Sequence, residues 1–327
     1  MTRRRKHSTL LEVFAWGLNI AGVLGLLAVV LVYLAGQPNS AIAAPPDPRS
    51  ETALPTTTAY PLPYYLPTIT PNPLTTRIAP VTSTPFVLAS GRHGAVIGFS
   101  VSGRPIEVYT FGDGPKERMI VAGIHGGYEW NTIALAEQLI EYLDEHEEDV
   151  IPNDVTLYIV PNMNPDGEAR GHDIYGRVND HGVDLNRNFP ANWVAEWDRD
   201  GCWDLTATTG GVGPGSEPET RAIMNFIETH DIEALISYHS AALGIFPGGV
   251  PWEENSKDLA IAIKRVSTYP YPPIDTGCEY TGTLADYAVE QGAAAVDMEL
   301  TNHRDTDFDM NVKVLGVFLN WEPDKKK

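Results

Sequence analysis

The stretch Ile124-His125-Gly126-Gly127-Tyr128-Glu129-Trp130 joins two segments of contrasting pattern. Before it, residues 119–124 form a short apolar run, as a buried strand requires. After it, apolar side chains recur at helical spacing through residues 132–143. The sequence therefore predicts a strand, a turn and a helix, with a histidine and a glutamate in the turn. Both side chains bind divalent metals, but such a pair alone is more often a hydrogen-bonded surface pair.

The same alternation of strands and helices continues along the chain. Further apolar runs predict strands at 95–101, 105–111, 155–160, 232–238 and 293–300, and helical patterns cover 217–229, 259–266, 284–290 and 311–321. This order predicts an α/β fold: a single domain over residues 92–327, with a central mixed, mainly parallel twisted sheet flanked by helices. Residues 162–215 are irregular and rich in Gly, Asn and Asp, and so long a loop region is usually functional.

The charges are unevenly distributed. The chain has a net charge of −20, and residues 91–327 hold 17 Lys and Arg against 40 Asp and Glu. Such a domain repels nucleic acid, so no nucleic-acid partner is expected. The two cysteines, Cys202 and Cys278, are too few for a cysteine-rich zinc site or a disulfide-built scaffold. They leave open one bridge or two free thiols.

The first 91 residues differ in character from the rest. Residues 13–36 carry no charge and follow a basic cluster, Arg3 to Lys6, which predicts a signal-anchor helix spanning the cell membrane once. Residues 1–12 would then be cytoplasmic and the folded domain extracellular. Cleavage of a signal peptide near Ala43, with secretion, is the alternative. Residues 37–91 are rich in Pro and Thr, which predicts a disordered stalk.

Polar side chains follow several of the predicted strands. His125 and Glu129 come after one, the segment 162–167 after another, and His239 and Glu299 at the ends of two more. Ligand sites in α/β sheets collect at the carboxyl ends of the strands. These residues are therefore expected to converge, although they are far apart in the sequence.

Six motifs carry a resemblance to a known family. They are GIHGGYEW (123–130), NMNPDG (162–167), GVDLNRNFP (182–190), GSEPETRA (215–222), SYHS (237–240) and DMEL (297–300). In this order they are similar to the zinc carboxypeptidases of the funnelin type, and the short middle loops resemble the compact bacterial members. The resemblance implies a metallocarboxypeptidase that binds Zn²⁺ and acts on peptides with a free C-terminal carboxylate.

The resemblance also implies roles for single residues. His125, Glu129 and His239 match the zinc ligands, which leave a fourth position for the water nucleophile. Glu299 matches the general base that takes the proton of this zinc-bound water and passes it to the leaving amine.

Four further residues match positions that handle the substrate. Arg187 and Asn186 match the pair that binds the terminal carboxylate, for which the planar fork of arginine is suited. Arg177 matches the arginine that polarises the scissile carbonyl. Tyr280 resembles the mobile tyrosine that closes over the substrate, with Tyr287 as its rival. His303 is close enough to Glu299 in the sequence to reach the rim of the cleft.

One departure from the family keeps other functions open. The first two ligands of the family are spaced His-x-x-Glu, whereas here one extra residue separates His125 from Glu129. The glycine pair between them can absorb this residue as a bulge; otherwise the protein is a zinc-poor, binding-only ectodomain. A third hypothesis keeps the enzyme but makes peptidoglycan stem peptides its substrate, with release of diaminopimelate.

The preference for a C-terminal side chain depends on the alignment of residues 281–287. With Asp286 and Tyr287 on the family's Asp-aromatic pair, Ala285 forms the floor of the specificity pocket, and a neutral floor favours apolar or small side chains. A shift of one residue would place Asp286 there and favour Lys or Arg.

Overall fold

The computed structural model describes residues 84–87, 93–196, 207–241 and 243–323. These residues form an α/β domain. Its strands are β1 (Thr84–Val87), β2 (His93–Phe99), β3 (Pro105–Phe111), β4 (Lys116–Val121), β5 (Val155–Val160), β6 (Ile232–Ser240), β7 (Ile245–Pro247) and β8 (Ala294–Leu300). Within the described residues they make one eight-stranded sheet in the order β1-β2-β3-β5-β4-β6-β8-β7.

The sheet is mixed, as predicted, but it is not mainly parallel. Strands β5, β4, β6 and β8 are parallel neighbours in the middle of the sheet. Strands β1, β2 and β3 add an antiparallel meander at one edge, and β7 pairs antiparallel with β8 at the other. The short turn between β2 and β3, which only antiparallel strands allow, was a signal for that pair that the sequence prediction did not use. Strand β1 lies in the predicted stalk, and β7 has only three residues, so neither was predicted.

Helices cover both faces of the sheet. They are α1 (Trp130–Val150), α2 (Pro165–Arg170), α3 (Pro218–Thr229), α4 (Glu254–Lys264), α5 (Leu284–Glu290) and α6 (Phe308–Asn320). Buried side chains of α1, α4 and α6 pack on one face, and those of α3 and α5 pack on the other. The central strands are therefore buried on both sides, which explains why the second half of β4, residues 119–121, and most of β5 are apolar in sequence.

The N-terminal predictions lie mostly outside the described residues. This holds for the cytoplasmic segment 1–12, the membrane-spanning helix 13–36 and most of the stalk 37–91. Strand β1 lies within the predicted stalk, so the sheet begins before the predicted domain boundary at residue 92. In the part of the chain that the structure describes, no helix is both long and apolar enough to cross a membrane.

Candidate active site

The site lies at the carboxyl edge of the parallel strands. One face of β6 and β8 is apolar at Leu235 and Ala295, which pack beneath α5. Two residues on, the same face becomes polar, with Ser237 beside Asp297 and then His239 beside Glu299. Because side chains on a strand alternate between faces, these four side chains project to the same side. The turn after β4 brings His125 to the same place.

A 3₁₀ helix, Gly126–Glu129, connects the first two predicted ligands: His125 precedes it and Glu129 is its last residue. Gly126 adopts a φ of +46°, which favours glycine. A Cβ atom on Gly127 would lie 2.2 Å from the carbonyl oxygen of Gly171. The chain after β5 therefore packs directly on the backbone of the turn. Instead of a bulge, the turn forms a 3₁₀ helix, and the Glu129 carboxylate reaches His125.

His125, Glu129 and His239 form a buried triad whose ligand atoms all lie within 4.8 Å of one another. The Nδ1 atom of His125 is 2.8 Å from Glu129 Oε1 and 3.3 Å from Nδ1 of His239. His239 Nδ1 is 3.3 Å from Glu129 Oε2. Two ligand atoms that are each about 2.0–2.1 Å from a tetrahedral zinc ion lie about 3.3–3.4 Å apart. The spacing of the three donors thus fits a single zinc ion.

The second ring nitrogen of each histidine, Nε2, also has a polar partner. His125 Nε2 is 3.2 Å from Asp184 Oδ1, and His239 Nε2 is 2.9 Å from the hydroxyl oxygen of Ser237. Metal-binding histidines almost always use their second nitrogen in this way, because the bond fixes the tautomer and the ring orientation. It leaves both Nδ1 atoms directed at the same point, so the arrangement around the triad also fits a metal site.

The ionisation of each group in the triad depends on its neighbours. Burial by itself would raise the pKa of Glu129, but the adjacent imidazoles of His125 and His239 hold it well below its usual range. Burial likewise opposes protonation of His239, yet Asp297 and Glu129 raise the pKa of this imidazole to about 10. A cation at this point would replace the proton on His239, so metal binding is expected to release protons.

Glu299 stands beside the triad with an unused acceptor. Its Oε2 atom is buried and has no hydrogen-bond partner among the residues that the structure describes. Burial, followed by repulsion from Glu129, raises the pKa of Glu299 to about 8. A zinc ion at the triad would add positive charge nearby and lower this pKa. Glu299 thus offers a buried carboxylate oxygen beside the triad, in a position to accept a proton, as general acid–base catalysis requires.

Asp184 links the triad to Arg177. It accepts from Arg177 Nε at 3.0 Å and contacts its Nη2 atom at 2.8 Å. Arg177 also donates from Nη1 to Glu129 Oε1 at 3.4 Å. Burial raises the pKa of the Asp184 carboxyl, but Arg177 and His125 more than offset this and lower it well below the usual range. The Arg177 guanidinium is therefore held at the wall of the cavity, close to the metal site.

The predicted carboxylate clamp sits on the other side of the triad. Asn186 Nδ2 is 3.3 Å from His239 Nε2, and its Oδ1 accepts from the amide of Leu284 at 2.8 Å. Arg187 donates to the carbonyl of Asn186 at 2.7 Å, and its guanidinium carbon lies 5.0 Å from the centre of the Tyr280 ring. Asn186 and Arg187 thus face the same space as the triad, and Tyr280 borders it.

All eight predicted site residues line one cavity of about 830 Å³, namely His125, Glu129, Arg177, Asn186, Arg187, His239, Tyr280 and Glu299. His303 also lines the cavity, and its Nδ1 atom shares a hydrogen bond of 3.0 Å with the Ser240 hydroxyl. Tyr287 does not belong to the site. It is buried beside Phe189 and donates to Glu228, so the choice between the two tyrosines falls on Tyr280.

Two acidic residues of the site were missed from the sequence. Asp184 caps the 3₁₀ helix Leu185–Arg187 by accepting from the amide of Asn186 at 3.0 Å, and its link to His125 spans 59 residues. Asp297 lies two residues before Glu299. Because residues two apart share one face of a strand, the position of Asp297 beside Glu299 was the signal that could have revealed it.

The comparison with known families agrees with this geometry. The family model "Zinc carboxypeptidase" matches residues 93–316. The chain belongs to the zinc carboxypeptidase family. Zinc is the metal of this family, and the His125-Glu129-His239 triad has the donors and spacing to hold it.

Individual relatives are distant. The chain is 28% identical to mast cell carboxypeptidase A of Rattus norvegicus over 230 residues, which cover 60% of this chain and 55% of the relative. It is 26% identical to gamma-D-glutamyl-L-diamino acid endopeptidase 1 of Lysinibacillus sphaericus over 272 residues, which cover 69% of this chain and 66% of the relative. The chain thus spans about half to two thirds of these zinc carboxypeptidase relatives.

A solved structure shows the same fold. Murein-tripeptide amidase MpaA from Escherichia coli O157 superposes with a TM-score of 0.51 at 24% identity, covering 71% of this chain and 93% of that one. At this level of identity, the likeness supports the zinc carboxypeptidase fold and says nothing about the substrate.

The predicted disulfide stays a prediction. Cys278 lines the cavity and is not a free thiol, but Cys202 lies outside the described residues.

Replacing a glycine of the turn tests how the extra residue is accommodated. Gly127→Ala would force a methyl group against the Gly171 carbonyl, so we expect a loss of about 1–3 kcal/mol in the free energy of unfolding, with weaker zinc binding. Denaturant unfolding and zinc titration measure both effects. The control is Gly213→Ala, whose added Cβ would meet nothing within 4 Å and should change stability by less than about 0.5 kcal/mol. Equal stability of the two variants would contradict the proposed packing.

Proposed function

We propose that this protein is a zinc-dependent metallocarboxypeptidase that removes the C-terminal residue of peptides with a free terminal carboxylate. The observation that carries the proposal is the meeting of three different groups in one cavity. These are a triad spaced for zinc, a carboxylate with an unused buried oxygen, and an arginine beside an asparagine amide. A protein that only bound peptides would need the last of these but not the other two.

The terminal carboxylate of the substrate is assigned to Arg187 and Asn186. Arg187 offers a planar set of N–H donors that matches a carboxylate, and the Asn186 amide stands next to it. A residue held there directs its amide bond toward the triad, because His239 Nε2 lies 3.3 Å from the Asn186 amide nitrogen. Tyr280, beside Arg187, is placed to cover the bound residue. The clamp therefore explains why cleavage would be confined to the last residue.

The chemical step is assigned to Glu299 and Arg177. Zinc, when bound, polarises the scissile carbonyl and makes an adjacent water more acidic. Glu299 accepts the proton of the attacking water as the new C–O bond forms, and then returns this proton to the amine as the C–N bond breaks. Arg177 stabilises the negative charge that develops on the carbonyl oxygen. Asp184 contacts both Arg177 and His125 and so keeps the two side chains in position for this step.

Peptidoglycan stem peptides are the second candidate substrate. The similarity to gamma-D-glutamyl-L-diamino acid endopeptidase 1 supports it. Such a peptide also ends in a free carboxylate, so the same clamp would serve. The binding-only hypothesis has less support, because it rested on the longer turn, and this turn still brings Glu129 to the histidines.

A cleavage assay on the purified full chain tests the proposal. We expect mass spectrometry to show loss of single residues from the C-terminus of an acyl-peptide mixture. A zinc chelator should abolish this loss, and added Zn²⁺ should restore it. The matched control is the same peptide set with C-terminal amides, which should stay intact because the clamp has no carboxylate to bind. The enzyme assignment would be refuted if the purified chain contained no stoichiometric zinc and the chelator did not change its activity.

A further inference from the structure

A second wall of the cavity lies across the triad from the carboxylate clamp. The clamp approaches His239 at Nε2, whereas Glu129 lies 3.3 Å from Nδ1 of the same imidazole. Tyr128 and His303 line the cavity on the Glu129 side. Tyr128 precedes Glu129 in the turn, and His303 is bonded to Ser240, whose amide donates to Glu129 Oε2. A peptide with its last residue on the clamp and its scissile bond at the triad therefore continues along this second wall.

The loop that carries His303 is fixed from two sides. Asn131, at the start of α1, is fully buried and donates through Nδ2 to the carbonyls of Asn302 at 2.7 Å and Asp305 at 3.0 Å. The ring of Tyr128 packs against the His303 imidazole, with 4.8 Å between the ring centroids. The imidazole is therefore held in one position at the cavity wall.

The hydrogen bonds around Ser240 determine which nitrogen of His303 carries the proton. The Nδ2 atom of Asn131 donates to two carbonyls, so its Oδ1 atom is an acceptor. Ser240 donates its single hydroxyl proton to this Oδ1 at 3.0 Å. The hydroxyl oxygen then accepts, at 3.0 Å, from Nδ1–H of His303. In the neutral imidazole Nε2 is thus an acceptor, and among the described residues it has no hydrogen-bond partner.

An acceptor at this place suits a donor on the substrate. The residue before the scissile bond has a carbonyl, which the proposed mechanism assigns to the metal and Arg177, and a backbone N–H. An N–H removed from water without an acceptor is costly. The nearby carboxylates already have roles, since Glu129 is assigned to zinc and Glu299 to proton transfer. His303 Nε2, shielded on one side by the ring of Tyr128, is the uncommitted acceptor of this wall.

We propose that His303 binds the backbone N–H of the penultimate residue and thereby selects α-linked peptides. This inference rests on the proposed carboxypeptidase function and names its substrate class. An α-linked residue carries its nitrogen on the carbon next to the scissile carbonyl. In a γ-glutamyl linkage this carbon is a methylene group, which would leave Nε2 of His303 without a partner. A site built to bind an N–H discriminates against a substrate that lacks it. His303 thus favours ordinary peptides over γ-glutamyl peptides.

The test compares substrates that differ only in this N–H. One is an acyl-dipeptide with the terminal residue that the protein releases fastest. In its partner an oxygen atom replaces the N–H of the penultimate residue, and the scissile amide is unchanged. With the zinc-loaded full chain, we expect kcat/KM for the N–H substrate to exceed that for its oxygen analogue by about 10-fold or more. A second pair, an acyl-α-glutamyl and an acyl-γ-glutamyl peptide with the same terminal residue, should show the same preference for the α-linkage.

Variants of His303 assign the preference to this side chain. His303→Phe keeps a ring against Tyr128 but has no acceptor, so the ratio of kcat/KM within each pair should fall to about two or less. His303→Gln keeps an acceptor near the end of its side chain and should retain most of the ratio. The matched control is His172→Phe, which should keep the wild-type ratio. His172 is exposed, stacks on Trp130 at a centroid distance of 5.2 Å, and is not one of the described residues that line the cavity.

The outcomes are distinct, because a ratio between two substrates cancels the amount of zinc-loaded enzyme. Equal cleavage of the N–H substrate and its oxygen analogue by the wild-type protein would overturn the inference without requiring any variant to fold. Faster cleavage of the γ-glutamyl peptide would also overturn it, while leaving the carboxypeptidase function standing. An unchanged ratio in His303→Phe would overturn it too, and would show that His303 only anchors the loop after β8. Failure to cleave any of these peptides would overturn the proposed function itself, and the inference with it.

Discussion

Glu299→Gln should lower kcat by about 10²–10⁴-fold while leaving the zinc content unchanged. Glutamine keeps the shape of the side chain but cannot accept a proton. Glu299 Oε2 is buried and has no hydrogen-bond partner among the described residues. In the variant, an amide nitrogen or a neutral amide oxygen takes its place. In the wild-type protein, burial and then repulsion from Glu129 raise the pKa of this carboxylate. Its loss should therefore affect the chemical step more than substrate binding.

Single-turnover assays and zinc analysis check this expectation. KM and the affinity for a product analogue with a free carboxylate should stay within a few-fold of the wild-type values, because the clamp of Asn186 and Arg187 is untouched. The zinc content should remain stoichiometric, because the triad is intact. A variant that keeps more than a tenth of the wild-type kcat would show that another group accepts the proton. Loss of zinc together with activity would assign Glu299 to the metal site instead.

Glu129→Gln should weaken zinc binding by more than 100-fold and reduce activity to background at submicromolar zinc. Glu129 supplies the only negative charge of the triad. Its two oxygens lie 2.8 Å from His125 Nδ1 and 3.3 Å from His239 Nδ1. A neutral amide in this place attracts a divalent cation far less. Gln keeps an oxygen that can accept from the Ser240 amide, as Oε2 of Glu129 does at 3.1 Å, so the fold should be retained.

The informative control for Glu129→Gln is Asp184→Asn. Asp184 contacts the outer nitrogen of His125 and would not touch the metal. Loss of such an orienting partner typically weakens metal binding by about 10–100-fold. Zinc affinities measured by chelator competition should therefore rank wild type, then Asp184→Asn, then Glu129→Gln. If Glu129→Gln binds zinc as tightly as the wild-type protein, the extra residue in the turn has displaced Glu129 from the site, and the assignment fails.

Much of the candidate site was predictable from local sequence. His125 and Glu129 stand between an apolar run and an amphipathic helix, and the glycine pair between them indicated a turn that could take an extra residue. His239 and Glu299 occupy strand ends, where ligand sites of α/β sheets collect. The resemblance of the six motifs to the zinc carboxypeptidases then implied which residue would take which role. These features depend on neighbours close in the chain.

Other parts of the site depend on contacts between distant residues. Tyr280 and Tyr287 could not be separated by spacing, since the choice depends on which side of α5 faces the core. Asp184 acquires its place from contacts with His125 and Arg177. Asp297 looks like an ordinary strand residue until β6 is set beside β8, which puts it next to Ser237 and near His239.

The fold, like the site, has features that local sequence predicts and features that depend on contacts between distant residues. Apolar runs and helical periodicity in the sequence determined the elements, their order and the α/β class, because burial on one or both faces leaves a local pattern. They could not determine the short edge strands β1 and β7, which depend on pairing with distant segments. The turn 124–130 combines both: its sequence specifies a strand, a bend and two candidate ligands. Only the parallel placement of β4 beside β6 brings His239 across 114 residues to complete the triad.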